Sequence, residues 1–334
     1  MIDLLLSLAF VVGGVALVAL ALLDIFHTTL TLCGAGPVTK RITGGAWRVV
    51  RRLLAPPRAL LYGGAAMAVV TVLTWLALLW AGWTLIFLAS PGAVVEASTG
   101  AEADLAARIY FSGFTLFTLG LGDYRPQGGL WQILTAIAVG NGFLVISLSA
   151  AYLVPLLSAA AQKRALALTI GALGESPADI VVTAWTGRDL APLRVQLVDL
   201  TSRIALVGQQ HRAYPVLVRF DGPVARSALS VQIARLDEAL LLMECALAPD
   251  VRPPTSVLRP VRNALDAYFE AVDLAGGMPA AEAPPVAGTD ALAAAGIPLA
   301  PSARYHAGVA GAVDRRRIAR GILEESGWDW RALA

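Results

Sequence analysis

The sequence predicts an all-α membrane protein with three transmembrane helices and a short re-entrant helix, followed by a mostly helical soluble domain. Of the 334 residues, 57% are hydrophobic and only 15% are charged, whereas soluble proteins carry roughly 25% charged residues. Residues 4–23, 59–90 and 130–161 are each long enough to cross a bilayer, and none contains a charged residue. The first segment is expected to be retained, because Asp3 stands where a signal peptide carries a Lys or Arg.

The charges between the spans predict the topology. All charged residues between Asp24 and the second span are Lys or Arg. The positive-inside rule therefore predicts that this loop is cytoplasmic and that the N-terminus lies outside. Acidic residues dominate before the third span, and Lys163 and Arg164 follow it, in agreement with that orientation. We therefore expect a protein of the cell membrane with a cytoplasmic C-terminal domain. The basic loop contains Lys40, Arg41, Arg48, Arg51, Arg52 and Arg58.

The basic loop is also predicted to form a helix. Residues 42–54 have the pattern of a basic amphipathic helix, so anionic lipid is a candidate partner of Arg48, Arg51 and Arg52, with ordinary topology-setting charge as the alternative. A voltage sensor is not expected, because these arginines lie outside the apolar spans. Asp24 and His27, at the inner end of the first span, are expected to cap a helix or meet lipid headgroups, with a functional titration of either residue as the alternative.

A re-entrant segment is predicted between the second and third spans. Residues 104–117 form a helix of roughly 20 Å at 1.5 Å per residue, too short for a hydrocarbon core about 30 Å thick. The chain must therefore enter the membrane and turn back. Non-helical backbone at that depth occurs only where protein buries it or where it lines a water-filled path.

The residues after this helix have the chemistry of a cation site made from backbone. Gly120 and Gly122 reach φ values that are closed to other residues, so the carbonyls of residues 118–121 can turn toward one axis and replace a cation's hydration shell. The Thr118 hydroxyl adds an oxygen at the inner end. The side chains of Leu119 and Leu121 are expected to pack behind the carbonyls.

Residues 115–123, Thr-Leu-Phe-Thr-Leu-Gly-Leu-Gly-Asp, resemble the T-x-x-T-x-G-x-G-D signature of the potassium channel pore family. With Tyr124-Arg125-Pro126 they are similar to the second filter of two-pore-domain channels, where leucine also stands between the glycines. The resemblance covers residues 60–160. It implies a selectivity filter, supported by Thr115 of the pore helix, that holds K⁺ as the permeant ion without any cofactor. The filter residues are Thr118, Leu119, Gly120, Leu121, Gly122 and Asp123, with K⁺ at the carbonyls of the first four.

Two features of this segment bear on ion selectivity and on the number of subunits. Most members of the potassium channel family carry Tyr or Phe where this chain has Leu121, so a non-selective cation channel is the alternative function. One filter segment per chain supplies one wall of a four-walled pore, and the signature is not repeated, so a homotetramer is predicted.

The inner helix has two candidate bending points. Gly142, at the position of the family's hinge glycine, weakens the helix, and Pro155 removes an intrahelical hydrogen bond. The alternative is that Gly142 lets a neighbour approach closely and that Pro155 marks the helix end.

The predicted soluble part is helical and carries no enzymatic motif or nucleic-acid patch. Ser176-Pro177 starts a helix that Gly187 ends, residues 193–207 and 233–243 carry apolar stripes, and another helix covers residues 260–273. Cys33 and Cys245 are expected to be reduced. The predicted divisions are an N-terminal helix (1–32), a basic loop (33–58), a pore module (59–161), a helical domain (162–279), a flexible linker (280–303) and a C-terminal helical segment (304–334).

The C-terminal segment and the tail as a whole leave two alternatives open. Arg315, Arg316, Arg317 and Arg320 are expected to form a solvated charged face, with lipid binding or docking on the helical domain as alternatives. A membrane-anchored sensor or scaffold with a silent pore is the competing function from a different class.

Overall fold

The computed structural model describes residues 2–31, 34–53, 56–274 and 278–334, and these are mostly helical. The predicted reduced thiol of Cys33 lies outside the described residues, as do the side chains of Arg51 and Arg58. The chain forms two compact units, which are defined here by their residues. The membrane unit comprises Met1–Ala46 and Met67–Pro155, and the C-terminal unit comprises Trp47–Ala66 and Leu156–Ala334.

Within the described residues, three helices are long and apolar enough to cross a membrane, which confirms the predicted fold class. They are α1 (Ile2–Leu30), α3 (Pro56–Leu88) and α5 (Gly129–Gly171). Helix α5 runs ten residues beyond the predicted end of the third span. Pro155 lies inside it, so the interpretation that Pro155 marks the helix end is wrong. The run from Ala165 to Leu168 consists of strong helix formers, which favours this continuation.

Small residues set the packing of α1 against α3. A Cβ atom at Gly14 would lie against the carbonyl oxygen of Gly82 and the side chain of Ile86, and one at Gly82 would meet Val18. Only glycine lets the two backbones come this close. In a membrane, where apolar side chains gain nothing by leaving lipid, such close contact supplies much of the association energy between helices.

The basic loop forms helix α2 (Pro37–Leu53). Its first-turn amides at Val38 and Thr39 donate to the carboxylate of Asp24, which is only 1% exposed. The expected capping role of Asp24 is confirmed, and the headgroup alternative is excluded by this burial. Arg48 and Arg52 lie exposed on α2.

The C-terminal unit is a helical bundle around one hydrophobic core. The predicted stripes lie in that core, with Leu197 and Leu240 fully buried. The Ser176 hydroxyl accepts from the Asp179 amide at 3.1 Å, which confirms the predicted helix start. The helices are α6 (Pro177–Thr183), α7 (Ala191–Ala213), α8 (Leu229–Leu241), α9 (Thr255–Leu274), α10 (Asp290–Ala294), α11 (Ser302–Gly311) and α12 (Val313–Glu325).

Residues 280–303, predicted as a flexible linker, are packed instead. They contain α10, and Leu292 and Ile297 are buried in the core. Leu299 pairs with Leu247, and the Ala300 amide donates to the Ala246 carbonyl at 2.8 Å. Composition misled the prediction because the few large apolar residues among the Ala, Pro and Gly are enough to fasten the segment.

The arginines of the C-terminal segment are not a solvated face, so that expectation is wrong and the docking alternative is correct. Arg316 is 1% exposed, and its Nε atom donates to the Glu238 carboxylate at 2.6 Å. Arg315 bonds Asp237 on α8 and Asp266 on α9. Charge runs are usually solvated, but here the complementary acids lie on α8 and α9, far away in sequence.

Cys245 is a free, half-buried thiol, as predicted, and its burial raises the pKa of the thiol. A raised pKa keeps the sulfur protonated at neutral pH, so it is a poor nucleophile.

A buried histidine should make the C-terminal unit sensitive to acid. Burial, with Lys163 nearby, lowers the pKa of His211 from 6.5 to about 3. Below pH 6.5 His211 binds a proton in the unfolded chain but stays neutral in the folded unit. The free energy of unfolding should therefore fall by about 1.4 kcal/mol for each unit by which the pH drops. His211→Phe keeps the ring contact with Tyr268 and should remove about 2 kcal/mol of the loss between pH 7 and pH 5. Urea unfolding at both pH values measures this, with exposed His306→Phe as the control; equal pH dependence in both variants would contradict it.

Candidate functional site

The predicted pore helix is present as a helix close to its predicted bounds. Helix α4 (Leu105–Leu116) begins after Asp104, whose carboxylate accepts from the Ala107 amide at 2.8 Å. Ser112 and Gly113 weaken it intrinsically, but Gly113 lies against the indole of Trp80, and the Trp80 Nε1–H donates to the Ile109 carbonyl at 2.9 Å. Contacts with α3 therefore hold α4 in place.

Arg108 is a buried structural residue of α4. It is 6% exposed, and its guanidinium donates to the carbonyls of Phe87 and Ser90 at the end of α3 and of Ala103 before α4. The arginine donates to backbone carbonyls on both sides of the connection and so fastens the end of α3 to the start of α4. An arginine within an apolar pore helix was the available signal, since such a residue needs several acceptors.

The end of α4 places the first filter residue. The Leu119 amide donates to Phe114 O at 2.8 Å and the Thr118 amide to Thr115 O at 3.1 Å, the two bonds of a Schellman cap. Thr118 occupies the left-handed position of this cap, at φ +57°, where glycine is usual. A β-branched residue is strained there by about 1–3 kcal/mol, and such strain often marks a functional position.

The filter backbone alternates between two conformations. Thr118, Gly120 and Gly122 have φ values of +57°, +57° and +84°, whereas Leu119 and Leu121 between them keep negative φ. Positive φ costs glycine little but strains the β-branched Thr118. The sequence predicted left-handed geometry at the two glycines and missed it at Thr118.

The outer end of the filter is tied to the loop before α4. Strand β1 (Val94–Glu96) pairs antiparallel with β2 (Tyr124–Pro126), and the Ala97 amide donates to the Asp123 carbonyl at 2.8 Å. The Tyr110 ring of α4 lies edge-on to the ring of Tyr124 in β2, with centroids 6.2 Å apart. Both ends of the candidate filter are thus held by loops of the same chain and by α4.

The flanks of the filter are uncovered within one chain. Leu119 is 61% exposed and Leu121 58% exposed, so the expected packing of these side chains behind the filter does not occur within the described residues of a single chain. Cβ atoms at Gly120 and Gly122 would also meet open space. Large apolar side chains left exposed on one chain indicate a surface that lipid or another protein surface covers.

Gly142 contacts the pore helix directly. A Cβ atom at this position would overlap the carbonyl oxygen of Leu116, the last residue of α4. Helix α5 continues through Gly142 without a break. The structure therefore supports the close-approach interpretation of Gly142, while a hinge there stays a prediction.

Gly142 and Gly140 of α5 form a matched pair of test positions. We expect Gly142→Ala to force α5 away from α4, destabilise the membrane unit by about 1–3 kcal/mol and reduce ion flux. Gly140→Ala should be neutral or slightly stabilising, because its Cβ meets open space and alanine favours a helix. Thermal unfolding in detergent and vesicle flux measure both effects; equal behaviour of the two variants would contradict the close contact.

Comparison with known proteins agrees with this geometry. Residues 67–159, which contain α4, the filter and most of α3 and α5, match the sequence profile of a protein family described as "Ion channel". The uncharacterized membrane protein YdjJ of Bacillus subtilis is 31% identical over 323 residues, covering 96% of this chain and 95% of YdjJ. The chain belongs to the same family as YdjJ. No solved structure matches it.

The likeness to YdjJ extends through the C-terminal unit, well beyond the matched channel module. In this YdjJ-family protein the sequence likeness therefore includes both the segment that matches the ion-channel profile and the helical C-terminal unit. The family match supports a protein of the ion-channel class rather than an enzyme.

Proposed function

We propose that this protein is a subunit of a potassium-selective channel that conducts K⁺ passively through Thr118 to Gly122. The observation that carries the proposal is the alternation of positive and negative φ along this segment, because glycine in the left-handed region lets successive carbonyls turn toward one axis. A row of carbonyls on a backbone segment held at both ends supplies the oxygen ligands that replace a cation's hydration shell. The channel-family match over residues 67–159 supports the conduction part of the proposal.

Four copies are proposed to complete the pore. One chain provides one row of carbonyls, whereas a ring around an ion takes four such rows in this architecture. The exposed leucines at 119 and 121 fit this assembly, because neighbouring subunits would cover them. Cross-linking of the detergent-solubilised protein should end at tetramers; a ladder that stops at dimers would contradict the assembly.

We place the N-terminus outside the cell membrane and the C-terminal unit in the cytoplasm. The basic face of α2 and the acidic loop before α4 support this orientation. Anionic lipid is the proposed partner at Arg48 and Arg52, and the same proposal extends to Arg51. Protease digestion of sealed vesicles of known orientation tests this, since only an exposed C-terminal unit is cleaved.

A non-selective cation channel is the second candidate, and Leu121 favours it. Leucine cannot donate the hydrogen bond that a tyrosine at this position would make, so the filter has less support from behind. The test is the reversal potential of the purified protein in a planar bilayer with K⁺ on one side and Na⁺ on the other. A reversal near the K⁺ limit supports selectivity; a clear current that reverses near zero favours the second candidate, and Leu121→Tyr should then shift it toward K⁺. Absence of any current would leave a silent pore on a sensor or scaffold.

A further inference from the structure

Asp24 is a carboxylate buried at the inner end of α1, and all the donors that the structure gives it are neutral. The Trp75 Nε1–H of α3 donates to it at 2.9 Å, the Val38 amide of α2 at 2.8 Å, and the Thr39 amide and hydroxyl complete the set. An ionisable residue at membrane depth is costly unless fully hydrogen-bonded, and it is a candidate functional residue for that reason. This carboxylate joins three helices at one point.

The joint between α1 and α2 is tight. The Gly36 amide donates to the Thr28 hydroxyl at 2.9 Å, and a Cβ atom at Gly36 would overlap the Asp24 carboxylate. The first turn of α2 therefore sits directly on the end of α1. A displacement of this turn must move the hydrogen bonds of Asp24.

Trp75 connects the joint to the pore-lining helix. Its ring lies edge-on to Tyr152 of α5, with centroids 5.8 Å apart and planes at 66°, and both side chains are buried. Tyr152 lies three residues before Pro155, where α5 lacks one backbone hydrogen bond and bends most easily. Direct contacts thus run from the first turn of α2 through Asp24 and Trp75 to this part of α5.

The exposed side of α2 matches one kind of surface. The helix contains five basic residues and no acid, and residues four apart on a helix share a face. A cluster of this size on an amphipathic helix is attracted to anionic lipid by about 1 kcal/mol per basic residue near the surface. Its exposed members are Lys40, Arg41, Arg48 and Arg52.

We propose that binding of α2 to an anionic membrane surface displaces its first turn. Asp24 and Trp75 transmit this displacement to Tyr152 and so control opening of the pore at the inner helix. Asp24 is a positioning residue in this scheme, since it touches no permeant ion. The inference rests on the proposed conduction. It predicts that K⁺ flux depends on anionic lipid and that this dependence requires the Asp24–Trp75 hydrogen bond.

Two tryptophans of α3 provide the test. Trp75→Phe keeps a ring beside Tyr152 but removes the donor to Asp24, whereas Trp83→Phe removes an N–H that has no acceptor among the described residues. The full-length variants are reconstituted in vesicles of neutral phosphatidylcholine and in vesicles with one third phosphatidylglycerol. Wild type and Trp83→Phe should show K⁺ fluxes that differ between the two lipids by about threefold or more. In Trp75→Phe that ratio should approach one, with the reversal potential unchanged.

Thr39 supplies a second pair of variants should Trp75→Phe fail to fold. Thr39→Val removes the hydroxyl that donates to Asp24 at nearly constant size, and Thr39→Ser restores a hydroxyl there. The valine variant should lose the lipid response and the serine variant regain it. The inference is overturned by equal lipid ratios in Trp75→Phe and Trp83→Phe, or by a wild type that ignores lipid charge while conducting K⁺. A wild-type protein that conducts no ions contradicts the proposed function itself, and control of conduction by α2 then has no basis.

Discussion

Gly122→Ala should abolish K⁺ flux. Gly122 holds φ at +84°, and an L-residue in the left-handed region is less stable by about 1–2 kcal/mol. In a tetramer the same ring of carbonyls would contain four such residues, so the conducting conformation loses about 4–8 kcal/mol, which lowers its population by about 1000-fold or more. Flux of K⁺ from loaded vesicles, normalised to the tetramer content, measures the loss.

Gly100→Ala is the matched control for this variant. Gly100 lies in the loop before α4 with φ +73°, and a Cβ atom there also meets open space. The strain per chain is therefore the same, but it is spread over four separate loops away from the carbonyls. We expect Gly100→Ala to assemble and conduct. Conduction by Gly122→Ala at the level of Gly100→Ala would show that the ions take another path.

Glu238→Ala should cost the C-terminal unit about 3–5 kcal/mol of unfolding free energy. Glu238 and Arg316 are both about 2% exposed in their side chains, and removal of the carboxylate leaves the guanidinium buried without its counter-charge. The remaining acceptors of Arg316, the carbonyls of Pro284 and Pro285, carry no net charge. Urea unfolding measures the cost, and trypsin cleavage at residues 315–317 reports the release of the segment.

A surface pair and a double variant test the physical reason. Asp199 and Arg203 form an ion pair at 2.8 Å with both side chains about half exposed, so Asp199→Ala should change stability by no more than about 0.5 kcal/mol. Glu238→Leu combined with Arg316→Met removes both charges and should recover most of the lost stability. If Glu238→Ala were as mild as Asp199→Ala, the C-terminal segment would not be docked in solution.

Local signals in the sequence predicted the elements of the membrane unit well. Charge-free length predicted the three spans, Asp104 predicted the start of α4, and the two glycines predicted left-handed backbone in the filter. Each of these depends on residues close together in the chain. The same is true of Ser176, whose side chain caps the helix that follows it.

The predictions that failed concern partners distant in sequence. Arg316 meets Glu238 across 78 residues, and nothing in the local charge run reveals that acid. Leu292 and Ile297 are buried although their segment has the composition of a linker. Arg108 of α4 likewise depends on distant partners, since two of its acceptors lie about 20 residues earlier, at the end of α3.

The sequence by itself determined which segments enter a membrane and which backbone lines the candidate filter, because hydrophobic length and glycine placement act within a few residues. Only the tertiary structure decided that Gly142 touches the end of the pore helix, that Thr118 carries backbone strain and that Asp24 joins three helices. The physical reason is that burial and hydrogen bonding are settled by neighbours in space. A carboxylate near a helix end has the same sequence signature whether it meets lipid headgroups or holds three helices together.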